Sequence, residues 1–176
     1  AYDADFRLEV LTYSWLESRV TLHRRATDDS LELRLLMPGV NNALNPSAAV
    51  AVCSELGVSV EAITRGLASF EGVGRRFSVL VNVTWEAGAA LLVDDYGHHP
   101  TELRATINAA RDAYPDQRLV MVFQPHRYSR TRDCYDEFVD VPSSVDGLVL
   151  LDVYAAGEEE IVGADSRSVA RRIRQA

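Results

Sequence analysis

Lysine is missing from this chain of 176 residues: all 18 basic residues are arginine. A P-loop lysine, a Schiff-base lysine and a lysine general base are therefore excluded. Cysteine is scarce. Cys53 and Cys134 stand far apart and make neither a CxxC pair nor a disulfide framework. No apolar run approaches the ~20 residues that a membrane-spanning helix needs, and no secretory signal pattern opens the chain. A positive field is missing too. The net charge of −8 argues against a general nucleic-acid or acidic-membrane binder. Internal repeats and low-complexity tracts are absent. A cytoplasmic protein in a reducing compartment is the expectation.

What is present suits a packed fold, with 47% hydrophobic and 25% charged residues. The first third reads as a β-meander. Phe6 to Leu11, Ser14 to Arg24 and Leu31 to Leu36 carry period-2 apolar patterns. A helix is expected from Asn45 as cap and Pro46 as first residue to Gly57 as stop, with Ala48, Ala49, Val52 and Leu56 on its apolar face. A second helix from Ser59 carries Ile63, Leu67 and Phe70 at helical spacing. "GVGRRF" reads as a junction.

Beyond it the pattern changes. Phe77 to Val83 is a strand with a turn at "EAGA", and Ala89 to Asp95 is an apolar strand. A helix from Pro100 places Leu103, Ile107, Ala110 and Tyr114 on one stripe. Arg118 to Gln124 is the next strand. A helix from Thr131 to Val141 stops before Pro142, Gly147 to Tyr154 is a third apolar strand, and Asp165 caps a final helix. Apolar strands alternating with helices argue an α/β fold with a parallel βαβαβα unit covered on both faces.

In open parallel sheets, ligands bind outside the carboxyl ends of the strands. Two such ends carry unusual residues. One is Asp94, Asp95, Tyr96, Gly97, His98, His99; the other, "QPHRYSRTR", holds His126, Arg127, Arg130 and Arg132. Adjacent strands would bring the two loops to one rim. Singly, each residue has a plainer role: an Asp can cap a helix, one of two adjacent histidines must point away, and arginines at a helix start are often solvated. Arg127 and Arg130, three apart, would share a face if helical and could grip a carboxylate or phosphate. Asp94, Asp95, His98 and His126 also have the right types for a divalent metal. Their spacing does not match recognised zinc patterns, and Arg127 would oppose a cation. A metal-dependent hydrolase stays open on this reading, as does a non-catalytic nucleotide- or amino-acid-binding module.

"VDDYGHHPTE" and "VFQPHRYSRTRD" together resemble the ATP-dependent Mur ligase family of peptidoglycan synthesis, and within it the branch that joins L-alanine to UDP-N-acetylmuramate. "PGVNNALNPSAAVAV" and "FEGVGRRF" upstream, and "DVYAAGEEEIVGADSRS" downstream, fit the same family in the same order. The resemblance runs from about Leu31 onward. It implies three domains, with residues 1–74 as the end of the central ATPase domain and 75–176 as the first part of a Rossmann-like C-terminal domain. It implies a carboxylate activated by ATP and Mg²⁺ as an acyl phosphate, then attacked by the amine of L-alanine, and Mg²⁺ ligands lying mainly outside this chain.

The resemblance also implies roles. Asn42 and Asn45 match positions that hydrogen-bond the adenine; side-chain amides offer both donor and acceptor. Arg76 matches an arginine that reaches the transferring phosphate, and Asp95 an acid that contacts the nucleotide. Tyr96, His98, His126, Arg127 and Arg130 match the region that receives L-alanine, with the two arginines on its carboxylate and His98 or His126 as proton acceptor. The chain departs from the family in three respects. Its glycine-rich phosphate loop with lysine is not in this sequence, nor is the UDP-binding domain. Asn41 stands where a histidine is expected. Pro142 falls where the family has a longer helix.

Overall fold

The computed structural model describes residues 5–13, 18–25, 28–36, 40–70, 72–86 and 88–175. Among them the chain forms two compact units, residues 1–95 with 112–114, and residues 96–111 with 115–176.

The first unit opens with the meander. Strands β1 (Phe6–Tyr13), β2 (Ser18–Arg24) and β3 (Asp29–Leu35) pair antiparallel in the order β1-β2-β3. Alternation sends Val20, Leu22, Leu33 and Leu35 inward, where Val50 and Ile63 complete a core. Residues 14–17, part of the longer second strand expected, lie outside the described residues. Helix α2 (Val60–Ala68) starts as expected: Ser59 is its N-cap, its hydroxyl accepting from the Ala62 N–H at 3.3 Å.

Helix α1 differs from its expectation. It spans Val40–Glu55, so Pro46 sits inside rather than at its first turn. The proline removes the bond its own N–H would have made, yet the helix runs through it from Val40. The apolar face is rotated as well. Pro46, Ser47 and Val50 are buried and Cys53 packs on the core, whereas Val52 and Leu56 are exposed. Small alanines gave that stripe little power to fix the phase. The stop at Gly57 holds: φ is 75°, the Gly57 N–H donates to Ser54 O, and the Val58 N–H donates to Cys53 O, the paired bonds of a Schellman motif.

Strands β4 (Ser78–Trp85) and β5 (Gly88–Asp94) form an antiparallel hairpin that ends the main part of the first unit.

In the second unit, helix α3 (Pro100–Ala113) buries Leu103, Ile107 and Ala110 of its expected stripe, while Tyr114 follows the helix end and is half-buried. Strands β6 (Val120–Phe123) and β7 (Gly147–Leu150) pair in parallel. Leu103, Ile107, Phe123, Phe138 and Val141 form the core. The expected helix at Thr131 is two: α4 (Tyr128–Asp133) and α5 (Tyr135–Ser143), broken at Cys134. Pro142 lies within the last turn of α5, buried, not beyond it. The Ser143 and Ser144 hydroxyls donate to the Asp140 and Val141 carbonyls, satisfying acceptors at that end. Helix α6 (Ser166–Ile173) is capped by Asp165, which accepts from the Ser168 N–H at 2.9 Å. Covering of both sheet faces is not seen in the described residues. Val120, Val122, Val149 and Leu151 stay exposed.

Candidate functional site

The two polar loops of the second unit converge. The His98 and His126 ring centroids lie 5.9 Å apart, and Tyr96 sits edge-on to His98 at 5.5 Å. A fourth ring, Tyr154, lies 5.3 Å from His126. Tyr154 follows β7, and its backbone continues the parallel pairing to His126 as an isolated bridge.

The first loop is fixed by the start of α3. Glu102 accepts from the backbone N–H groups of His98 (3.0 Å) and His99 (3.1 Å), reaching back as in a capping box. His99 Nδ1 in turn accepts from the Thr101 N–H at 3.3 Å, and its Nε2 lies 3.8 Å from the Cys134 thiol. His99 is thereby a structural member of the pair. His98 Nδ1 lies 3.1 Å from the Tyr96 carbonyl. A carbonyl only accepts, so the ring proton is on Nδ1 and the neutral ring keeps a lone pair at Nε2.

His126 is arranged oppositely. Arg130 donates to the His126 carbonyl at 3.1 Å and makes a long 3.5 Å contact to Nδ1. Nδ1 is the accepting nitrogen there, which puts the neutral-ring proton on Nε2. Burial holds His126 below the ordinary imidazole value of 6.5, and the charges of Arg130, Arg127 and His98 push the same way.

Arg127 and Arg130 flank this histidine, but not on a shared helical face. Arg127 precedes α4 with φ 74° and ψ 134°, a conformation nearly confined to glycine. Five bonds hold it or its neighbours there. Its N–H donates to the Tyr154 carbonyl at 2.9 Å, and its carbonyl accepts from the Thr131 N–H (3.1 Å) and hydroxyl (2.9 Å). Glu158 accepts from the Ser129 N–H at 2.9 Å and hydroxyl at 2.6 Å. Arg132, by contrast, pairs with Asp133 at the surface.

The other predicted residues belong to the first unit. Arg76 is exposed, in a turn between Arg75 (φ 60°) and Phe77 (φ 51°). The Phe77 N–H donates to Asp95 Oδ2 at 2.8 Å, the Arg75 N–H donates to the Ser78 hydroxyl at 2.8 Å, and the Arg75 guanidinium lies 3.4 Å from Asp94. Asp95 thus braces the turn that carries Arg76. Asn45 is exposed on α1, and the Asn41 and Asn42 side chains lie outside the described residues. Among the described residues no group of three or more His, Cys, Asp or Glu is placed to hold a metal.

Residues 75–176 match the family of the Mur ligase, glutamate ligase domain. The chain belongs to the Mur ligase family. It is 58% identical over 150 residues to the UDP-N-acetylmuramate–L-alanine ligase of Psychrobacter arcticus, covering 85% of this chain and 31% of the relative. The ligase of the same name from another Psychrobacter is 59% identical over the same length, with 32% of it covered. The chain therefore spans about a third of the curated relatives that it matches. A solved UDP-N-acetylmuramate–alanine ligase from Thermotoga maritima shares the fold, with a TM-score of 0.61 at 23% identity over 98% of this chain and 46% of that one.

Tyr154 and Glu158 had no role assigned from the Mur ligase sequence pattern. Both follow the carboxyl end of a parallel strand, so the rule that located the other two loops covers them equally. No helix among the described residues is long and apolar enough to cross a membrane.

Proposed function

We propose that the chain is the part of a UDP-N-acetylmuramate–L-alanine ligase that receives L-alanine, with residues 1–74 ending the ATPase domain and 75–176 beginning the C-terminal domain. The carrying observation is the convergence of Tyr96, His98, His126, Arg127 and Arg130 in one cluster of the second unit. The family match beginning at residue 75 supports the division.

The chemistry follows from the groups present. The amino acid arrives as a zwitterion. Arg127 and Arg130 attract its carboxylate through guanidinium forks. The ammonium must lose a proton before its nitrogen can attack the activated carbonyl carbon. His98 is the better acceptor of that proton, because its Nε2 lone pair is free of the Nδ1–Tyr96 bond. His126, with Nδ1 facing Arg130 and its proton on Nε2, is a donor to an acyl or phosphate oxygen. The amine nitrogen adds to the acyl carbon to form a tetrahedral intermediate, and the C–O bond to phosphate then breaks, releasing phosphate. Arg76 meets the transferring phosphate, where developing charge needs a cation. Asn42 and Asn45 hydrogen-bond the adenine. Asp95 contacts the nucleotide. Mg²⁺ would screen phosphate charge, held by ligands mainly outside this chain. The setting is the cytoplasm, where ATP and the UDP-linked substrate are available.

A chimera tests this: the chain replaces the matching segment of the Psychrobacter arcticus ligase. Phosphate release dependent on ATP, UDP-N-acetylmuramate and L-alanine is expected. A folded chimera active with a different amino acid but not L-alanine would refute the assignment. The chain alone, without a phosphate-loop lysine, is expected to release none.

A further inference from the structure

The loop after β7 carries a carboxylate that the amino-acid site does not itself require. Glu158 stands in the Ala155–Glu158 turn, where Ala156 (φ 52°) and Gly157 (φ 86°) reverse the chain and the Glu158 N–H donates to the Ala155 carbonyl at 3.0 Å. Its side chain is only 26% exposed, and its two oxygens do different things. Oε2 accepts the Ser129 N–H in the first turn of α4. Oε1 accepts the Ser129 hydroxyl and lies 4.0 Å from the Arg127 guanidinium. The same loop supplies the Tyr154 carbonyl that takes the Arg127 N–H.

Arg127 is therefore gripped at its backbone and at its charge by one loop. A half-exposed arginine has many rotamers, and ordering it costs conformational entropy each time it binds a ligand. A fixed carboxylate beside it restricts those rotamers beforehand. We propose that Glu158 is a positioning residue for the L-alanine carboxylate clamp. It locks the entry to α4 and holds Arg127 in the orientation that receives the amino acid. It need not touch the substrate. This rests on the assignment of Arg127 to L-alanine made above.

Two measurements separate the ideas. In this chain, the Arg127 side-chain Nε–H is followed by ¹⁵N NMR relaxation in wild type, Glu158→Gln and Glu158→Asp. Glu158→Gln keeps an acceptor for Ser129 and loses the charge facing Arg127. It should leave the backbone amides of 128–133 ordered and mobilise the Arg127 guanidinium, while Glu158→Asp retains part of the order. An Arg127 guanidinium equally ordered in Glu158→Gln overturns the proposal, whatever the ligand.

In the chimera, Glu158→Gln should raise KM for L-alanine about tenfold, leaving KM for ATP and kcat near wild type. In an Arg127→Ala background the same substitution should add nothing, because a residue acting through Arg127 is not additive with it. Additive effects, or equal changes in the KM of all substrates, overturn positioning. A chimera without L-alanine-dependent turnover would instead remove the functional assignment, and the NMR result would still decide what Glu158 does to Arg127.

Discussion

The turn at Arg76 and the entry to α4 solve one problem with unequal support. Each presents an arginine from backbone that L-residues avoid, and each uses a carboxylate to accept a main-chain N–H. At the first, Arg75 and Phe77 take positive φ, and Asp95 accepts from Phe77. At the second, Arg127 takes positive φ, and Glu158 accepts from Ser129. The difference lies in what surrounds them. Around Arg127 the Tyr154 carbonyl, the Thr131 amide and the buried Thr131 hydroxyl add three more bonds. Among the contacts of the Arg76 turn, besides Asp95, are the Ser78 hydroxyl and an exposed Arg75–Asp94 pair, a kind of contact worth little in water. The arginine assigned to an incoming small molecule is pinned. The one assigned to a transferring phosphate stands in a turn whose residues 73–76 are exposed.

The largest expected effect breaks the pinned side of this comparison. Arg127→Gly should raise KM for L-alanine in the chimera tenfold or more, since a charge-assisted hydrogen bond contributes roughly 1.5–3 kcal/mol. The same change should stabilise the isolated chain by about 1 kcal/mol, by relieving the positive-φ strain. Opposite signs for binding and stability mark a strained functional residue; a fall in both would mean that Arg127 is only structural.

Thr131→Val comes next. It removes the buried hydroxyl bond to the Arg127 carbonyl and should cost roughly 1–2 kcal/mol in denaturant unfolding, with a weaker grip on L-alanine. Asp95→Ala should cost less, about 1 kcal/mol, because the turn it braces is partly open to water. Its kinetic effect should fall on ATP, not on L-alanine. A larger stability loss for Asp95→Ala than for Thr131→Val would invert the comparison.

Acid titration gives the smallest effect and sharpens the pinned side. Burial holds His126 below 6.5, so the unfolded state binds more protons just below that pH and stability falls as pH drops from 6.5. The Ser129 bonds hold Glu158 below its ordinary 4.5, and the Ser168 backbone N–H holds Asp165 below 3.8. For these carboxylates the stabilisation is complete above those values and is lost as pH falls through the lower folded values. Glu158→Gln should flatten the stability curve below pH 4.5 and leave the fall that begins at 6.5. An unchanged curve below 4.5 would show that the Glu158 bonds do not form.

Much of this was legible in the sequence where local chemistry decides structure. Ser59, Gly57 and Asp165 end or begin helices through bonds within three to five residues, and each stands where its side chain or missing Cβ predicts. Pro100 opens α3 for the same reason. Phase and strain were not legible. The alanine-rich face of α1 could not set its own rotation, and tertiary contact chose Val50 and Cys53 instead. Arg127 and Arg130 looked like neighbours on a helix; the Tyr154 carbonyl, 27 residues away in sequence, draws Arg127 out of it. Glu158 went unassigned because its partner, Ser129, lies 29 residues away.

The central claim is that the histidine–arginine cluster of the second unit receives the amino acid. Its most direct test is the KM for each substrate of the chimera carrying Arg130→Ala. A rise of about tenfold or more for L-alanine, with KM for ATP unchanged, is the predicted result. An unchanged KM for L-alanine, or a rise confined to ATP, would contradict it.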